Sequence, residues 1–372
     1  MNRRPNQSRN GYESFSPDRA ARFTASTPDA HFFETRRKRR PGMRMLCVLL
    51  LALAAVLAVN FMVNRFVRVQ RQDVPVKGLT EAFDGYTILH LSDLKGARFG
   101  SEQQGIARAL ADARYDAVVM TGDMVSPLGG AQALYDLIDQ LRAHQPDAPI
   151  YFIAGDRDPE PASMAYATGG SPLAPWVLGA QQRGAQLLSG PQAITRGSQT
   201  LWLTAGIHLT LDVDTMQGQF EQQYLRALAT GDENEIELAK YNLMWLEETR
   251  ASRTAMREAD VVVTLMHTPP DTSSDSPESS LLQRASLILC GHTMGGLLRL
   301  PGIGALFIPS QSLPRYGLFP GRHAYYGLSR EGHTWVYASP GLGSEGDDYP
   351  PLFFRLFNPP TATLLTLVPS AL

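Results

Sequence analysis

Residues 45–63 read MLCVLLLALAAVLAVNFMV, apolar on every side, with Asn60 the only strongly polar member. A run of this length spans a bilayer, because about 20 helical residues cover the hydrocarbon thickness. A secretory signal peptide has a shorter apolar core and a much shorter front end. The run is therefore read as a transmembrane helix at 45–64. From residue 83 the spacing changes. Tyr86–Ser92 (YTILHLS) is a short run rich in β formers and predicts a buried strand. Ser101 then opens a helix, with Gln104 as a capping-box partner and Ile106, Ala107, Leu110 and Ala111 on its buried face. Residues 116–121 predict a second strand. Leu134, Leu137, Ile138 and Leu141 mark a second helix, and 150–154 a third strand. Further strands are predicted at 201–207, 261–266 and 287–290. Such alternation builds a sheet covered by helices.

Between Asp212 and Asp260 the pattern is helical, with Ile236, Ala239, Leu243 and Leu246 along one face. Two readings stay open for this stretch: a helix packed on the sheet, or a lid or partner surface. Asp271–Glu278 is a Ser- and Pro-rich loop. The tail from Leu297 onward has many Gly and Pro residues between short apolar runs, which suits a β-rich end.

Composition adds two constraints. The 372 residues are 44% hydrophobic and 19% charged, ordinary for a packed protein, and the net charge of −2 gives no global field for nucleic acid. The charge is unevenly placed, however. Residues 1–44 are polar and Arg-rich, end in the run Arg36–Arg40, and read as a disordered leader. A basic run before the helix predicts a cytoplasmic N-terminus, although Arg65, Arg68 and Arg71 beyond it reduce the asymmetry. The expected organisation is a basic cytoplasmic leader (1–44), a transmembrane helix in the cell membrane (45–64) and a linker (65–82). An extracytoplasmic domain (83–368) follows, with a helical insertion at about 212–260. Cys47 and Cys290 fall on different sides of that boundary, so no internal disulfide is expected.

Each predicted strand ends in polar residues: Ser92–Asp93–Leu94–Lys95, Gly122–Asp123, Gly155–Asp156–Arg157–Asp158, His267, and Gly291–His292–Thr293–Met294. In open α/β sheets ligands bind outside the carboxyl ends of the strands, so the five clusters converge on one edge. One Asp after a strand is usually a turn or a cap; five clusters in order are a site. The series SDLK, TGDM, AGDRD, LMHTPPD and CGHTMGG resembles the calcineurin-like metallophosphoesterases. That family's pattern is Asp-x-His, Gly-Asp, Gly-Asn-His-Asp/Glu, a lone His, and Gly-His-x-His. FDGYTILHLSDL, HTMGGLLRLP, SPGLGS and PLFFRLFNPP are similar to a bacterial membrane-associated branch, so the resemblance covers roughly residues 80–368. It implies an α/β fold, a metallophosphoesterase-like sheet sandwich flanked by helices. It also implies hydrolysis of a phosphoester at two metal ions sharing an aspartate and a hydroxide.

Carried over residue by residue, Asp93 matches the first-metal Asp and Asp123 the bridging Asp. His267 and His292 match second-metal ligands, and Asp156 replaces the second-metal Asn. Lys95 and Met294 replace the two first-metal His, and Arg157 replaces the catalytic His. An ammonium has no lone pair to give, and thioether sulfur is a poor partner for a hard divalent ion. One divalent ion (Mn, Fe or Zn) on Asp123, Asp156, His267 and His292 is therefore compatible with the residues, with Asp93 beside it, and a second ion is not expected. Lys95 and Arg157 are the candidate catalytic residues, Lys95 as a charge surrogate and Arg157 as a phosphate clamp that Arg98 joins. Three readings stay open: one metal with a cationic surrogate, no metal with an ion-pair network, and a surviving two-metal centre. So do two functions: a membrane-anchored phosphoester hydrolase, and an inactive module that binds a phosphorylated ligand or a protein partner.

Overall fold

The computed structural model describes residues 41–126, 130–169, 171–270, 283–296, 298–308, 316–321, 325–344 and 355–370. Most of the basic leader and the Ser/Pro-rich loop lie outside these residues. Internal contacts divide the chain at Leu53 and Ala54; the sheets, the other helices and the candidate site all belong to the second part.

The apolar run forms helix α1 (Pro41–Val63), which starts four residues earlier than its composition predicts. Proline is favoured at a first helical position because its missing N–H costs nothing there. Most of its large apolar side chains are exposed, so it is long and apolar enough to cross a membrane and is not a core helix. Asn60 is the exception: it is buried, its Nδ2 donates to the Arg355 carbonyl (2.6 Å), and its Oδ1 accepts from the Phe357 amide (3.0 Å).

Two six-stranded sheets follow. The first contains β1 (Arg68–Val76), β2 (Thr87–Leu91), β3 (Ala117–Thr121), β4 (Ile150–Ile153) and β5 (Ala185–Leu187). The second contains β6 (Gln192–Arg196), β7 (Gln199–Ala205), β8 (Val261–Leu265) and β9 (Leu287–Cys290). Two short antiparallel pairs come next, β10 (Arg299–Leu300) with β11 (Gly304–Ala305) and β12 (Phe307–Ile308) with β13 (Gly317–Leu318). The hairpin β14 (Gly327–Glu331) and β15 (Thr334–Ala338) completes the second sheet, and β16 (Thr361–Pro369) returns to the first. The strand orders are β1-β16-β2-β3-β4-β5 and β14-β15-β9-β8-β7-β6. The neighbours from β2 to β5, and β7, β8, β9 and β15, are parallel. All five residues of β3 and of β8 are buried, as both faces of such strands must be when covered.

Alternation sorts each strand between two cores. Ile88, Val119, Val263, Leu289 and Leu365 pack between the sheets. Leu89, Val118, Met120, Phe152 and Leu364 point the other way, against α2 (Gln104–Ala109), α3 (Gln132–His144) and α4 (Pro175–Gln182). On the second sheet α5 (Gly206–Thr210) leads into the long pair α6 (Val213–Thr230) and α7 (Glu233–Ala255). Asp212 and Asp232 cap α6 and α7 through their side chains. Helix α7 lies against α6, α5 and the 3-10 turn Met164–Gly169.

Three local expectations are corrected. Residues 68–76, assigned to a linker, pair with β16 over their whole length as an edge strand, parallel to it. Arg68, Arg71, Asp73 and Pro75 hide its strand character, and an edge is where such residues are tolerated. Ser101 does not open the helix through a capping box. Glu102 and Gln103 have positive φ, α2 begins at Gln104, and Ala111 is exposed. Gln103 instead turns inward, accepting from the Phe99 amide and donating to the carbonyls of Ala97 and Ala133.

Because β16 lies inside the first sheet, its adjacent leucines serve different cores. Leu364→Ala and Leu365→Ala are each expected to cost about 2–5 kcal/mol, the usual range for emptying a buried leucine site. Urea denaturation of the full chain in nanodiscs, followed by tryptophan fluorescence, measures this. A cost below about 1 kcal/mol for either would contradict the two-sided packing.

Candidate metal and phosphate site

The five polar clusters sit at the carboxyl ends of β2, β3 and β4 of one sheet and β8 and β9 of the other. Backbone bonds lock the loops together. The Asp93 amide donates to Gly122 (3.0 Å), the Lys95 amide to Asp123 (2.9 Å), the Gly291 amide to His267 (2.9 Å) and the Gly343 amide to Asp93 (2.7 Å). Asp93, Lys95, Asp123, His292 and Met294 all have φ between 48° and 62°, a region costly for residues other than glycine. Left-handed non-glycine residues of this kind cost about 1–3 kcal/mol each and persist where the surroundings over-determine them. Glycine is required at Gly155, where a Cβ would overlap the Asp123 amide and carboxylate. At Gly291 a Cβ would lie 2.6 Å from Asp93 Oδ2.

The inner half of the site is buried. Asp93, Asp123 and Lys95 are 0%, 1% and 9% exposed. Lys95 Nζ lies 3.4 Å from Asp123 Oδ2 and 3.8 Å from Asp93 Oδ1. Neither oxygen of Asp93 has a hydrogen-bond partner among the described residues. A second cation stands close by: the Arg355 guanidinium is buried, with Nη1 3.9 Å from Met294 Sδ. Its Nε donates to the Asn358 carbonyl (2.6 Å), Nη1 to Gly343 (2.6 Å) and Nη2 to Pro340. Burial pushes Arg355 down to about 10, against the opposing charge of Asp93, which leaves it protonated at neutral pH. Two carboxylates and two fixed cations share this half.

The outer half is more open. Asp156, His267 and His292 each offer a ligand atom within 4.8 Å of the others, and so do Asp93, Asp123 and His267. His292 Nδ1 is 3.1 Å from Asp156 Oδ2, and His267 Nε2 is 3.3 Å from Asp123 Oδ1. Nδ1 of His267 lies 2.8 Å from the Thr121 carbonyl, a contact only an N–H can make, so it is Nε2, on the side of the carboxylates, that gives up its proton when the ring becomes neutral. Nε2 is buried without a hydrogen bond of its own. Burial opposes ionisation of Asp123, but contact with His267, the charges of His267 and Lys95, and the Arg157 amide (2.9 Å) hold its carboxyl well below the usual range. Burial alone would lower His267; the carboxylates of Asp123 and Asp93 instead push it up to about 9. Contact with His292 lowers Asp156.

A match to the calcineurin-like phosphoesterase family model covers residues 86–296. The chain belongs to the calcineurin-like phosphoesterase family. None of the curated proteins matches the sequence. Similar solved structures include the phosphopantetheinyl hydrolase PptH from Mycobacterium tuberculosis, 14% identical, with a TM-score of 0.35 over 69% of this chain and 91% of that one. A second is 12% identical, with a TM-score of 0.36 over the same shares. Scores this low carry nothing about substrate.

The phosphoesterase family typically binds divalent metals, and the two halves differ in how they fit one. The outer donors are imidazole nitrogens and carboxylate oxygens, a set suited to Mn, Fe or Zn once His267 gives up its Nε2 proton. The inner half offers an ammonium and a thioether beside Asp93 and Asp123, which does not fit an ion. Arg98 is placed elsewhere: its Nη1 pairs with Asp136 on α3 (3.1 Å), so the expectation that it joins a phosphate clamp is corrected. Asp158 is buried and structural, accepting from the amides of Val125 and Gly155 (2.8 Å each); burial raises it to about 6 despite those bonds. Arg355 was missed by sequence reasoning. Its signal was one arginine inside the apolar run FFRLF.

Removing the Lys95 ammonium leaves two buried carboxylates short of a counter-charge. Lys95→Met is expected to destabilise the domain by about 3–5 kcal/mol at neutral pH. Asp123 is depressed in the fold, so its contribution is present above its unfolded value near 4 and fades as pH falls. The deficit of the variant therefore narrows below about pH 4, as the carboxylates take up protons. Urea midpoints at pH 7 and pH 4 check both the size and the sign.

Proposed function

We propose that this chain is a membrane-anchored, extracytoplasmic phosphoester hydrolase that works with one divalent ion. The observation that carries this reading is the contrast between the halves of the site: Asp156, His267 and His292 offer ligand atoms within 4.8 Å of one another, while Lys95 already stands against the inner carboxylates. Asp123, Asp156, His267 and His292 would hold the ion. When bound, it supplies a Lewis-acid centre for a phosphoryl oxygen.

The chain's own residues do the rest. The Thr121 carbonyl holds the Nδ1 proton of His267, so that Nε2 is the atom freed to accept when the ring gives up its second proton. Lys95, with its side chain 3% exposed, acts on Asp93 and Asp123 rather than on substrate, and holds both in place. Arg157, half-buried beside Asp156, orients phosphoryl oxygens with its planar fork. A guanidinium does not give up a proton near neutral pH, so no residue at this position protonates the leaving group. Esters of acidic alcohols are therefore favoured. The basic run before α1 supports a cytoplasmic N-terminus and a domain outside the cytoplasm.

Elemental analysis of the full chain in nanodiscs is expected to find one Mn, Fe or Zn per chain, falling toward zero in His267→Ala. The ion-loaded protein should turn over bis(4-nitrophenyl) phosphate, and Arg157→Ala should lower kcat about 10²-fold. Absence of both ion and turnover with all three metals would replace this reading with that of a binding module. Lys95→His with Met294→His should raise the stoichiometry from one ion to two.

Ion uptake must displace the proton that His267 holds up to about 9 in the ion-free protein. Apparent affinity for Mn is expected to fall about tenfold for each pH unit below 9. Titration calorimetry at pH 6, 7 and 8 in buffers of different protonation enthalpy reads both the affinity and the proton released. Affinity independent of pH would remove His267 from the ligand set.

A further inference from the structure

A cavity of about 520 Å³ opens at Asp156 and His267 and runs away from them between the strand ends and α7. Its size is that of a small-molecule site. Ile153, Leu187, Leu265 and Met266 form one wall, and Tyr241 and Trp245 of α7 the other. Tyr241 and Trp245 are four residues apart, one helical turn, so both face the same way. Among the described residues, no lysine or arginine lines the cavity.

Its other titratable groups are uncharged at neutral pH. His208 is buried and accepts at Nδ1 from the Ala205 amide (3.1 Å); burial lowers it to about 4, so it stays neutral. Burial raises the Tyr241 phenol, which also stays neutral. Asp156 is the only carboxylate among the lining residues, and it stands at the mouth. Walls of this kind give a pyrophosphate or nucleotide no lysine or arginine to pair with, and they reward apolar surface.

We propose that this cavity is the ester-group subsite: it receives the uncharged, apolar alcohol portion of a phosphoester whose phosphoryl group lies at Asp156 and His267. The proposal rests on the phosphoesterase reading for the position of the phosphoryl group, and on cavity geometry for the character of the alcohol. Helix α7 thereby becomes a specificity element of the site.

The probes are methyl, ethyl, propyl, butyl and phenyl phosphate and uridine monophosphate, titrated calorimetrically into the Mn-loaded full chain in nanodiscs. Each buried methylene is worth roughly fourfold in affinity. Butyl phosphate is expected to bind about 10- to 60-fold more tightly than methyl phosphate, with phenyl phosphate comparable and uridine monophosphate no tighter than methyl. Trp245→Ala should cut the butyl-to-methyl ratio to a few-fold. Ile207→Arg, at a half-exposed position in the cavity lining, should lower the same ratio and favour uridine monophosphate. A ratio near one, with methyl phosphate binding that depends on Mn, overturns the subsite and leaves the phosphoesterase reading intact. Chain-length dependence that survives in His267→Ala without Mn overturns the link between cavity and phosphoryl group. A ratio that does not move in either variant places the alcohol outside this cavity.

Discussion

The carboxylates of Asp93 and Asp123 lie buried where the two sheets meet, and their negative charge must be answered locally. An ionised carboxylate taken out of water without a partner costs several kcal/mol, more than most single interactions return. Metal-dependent phosphoesterases answer such charge with ions. Here Lys95 Nζ stands within 3.8 Å of both groups, and the Arg355 guanidinium is buried beside Met294. The loop geometry follows from the same demand. Asp93 and Lys95 both take the left-handed conformation, as do His292 and Met294 two residues apart on the facing loop. Strain on that scale persists because the groups it positions interact strongly.

Local compensation separates the two halves of the site. The inner half is closed, with Lys95 set against both carboxylates. The outer half keeps an imidazole whose Nδ1 is fixed by a backbone carbonyl and whose Nε2 faces Asp123. Asp123 belongs to both halves and is held ionised by Lys95 on one side and His267 on the other. Asp158 adds a second tie between the same loops through the amides of Val125 and Gly155.

How much of this was legible in the sequence depended on whether the signal was local. The strand ends were readable because each pairs a short apolar run with a polar turn, and β9 falls on the predicted residues Leu287–Cys290. Edge strand β1 was hidden: its charged residues and proline suit an edge, and what makes it a strand is β16, nearly 300 residues later. Arg355 was hidden for the same reason, since only the fold brings it to Met294 and Asp93. The capping box at Ser101 failed because Gln103 found better partners in Phe99, Ala97 and Ala133 than a helix start would give it. The cavity beside α7 had no sequence signal, because Tyr241 and Trp245 look like any half-buried helix positions until β4, β5 and β8 stand opposite them.

Asn60 ties these observations to the N-terminal helix. A polar amide in an otherwise apolar helix is unfavourable in lipid unless it is bonded. Both of its functional groups are bonded, to the Arg355 carbonyl and the Phe357 amide, and Asn64 donates to the same carbonyl (2.5 Å). Three residues further on, the Asn358 side chain donates to the carbonyls of Met294 and Gly296. One short backbone segment, 355–358, is thus gripped by the end of the helix on one side and by the His292–Met294 loop on the other, and it carries the guanidinium buried beside Met294. The placement of that charge depends on the helix end as much as on the sheets. A polar residue at position 60 is therefore explained by the site, through Arg355, and not by the helix in which it lies.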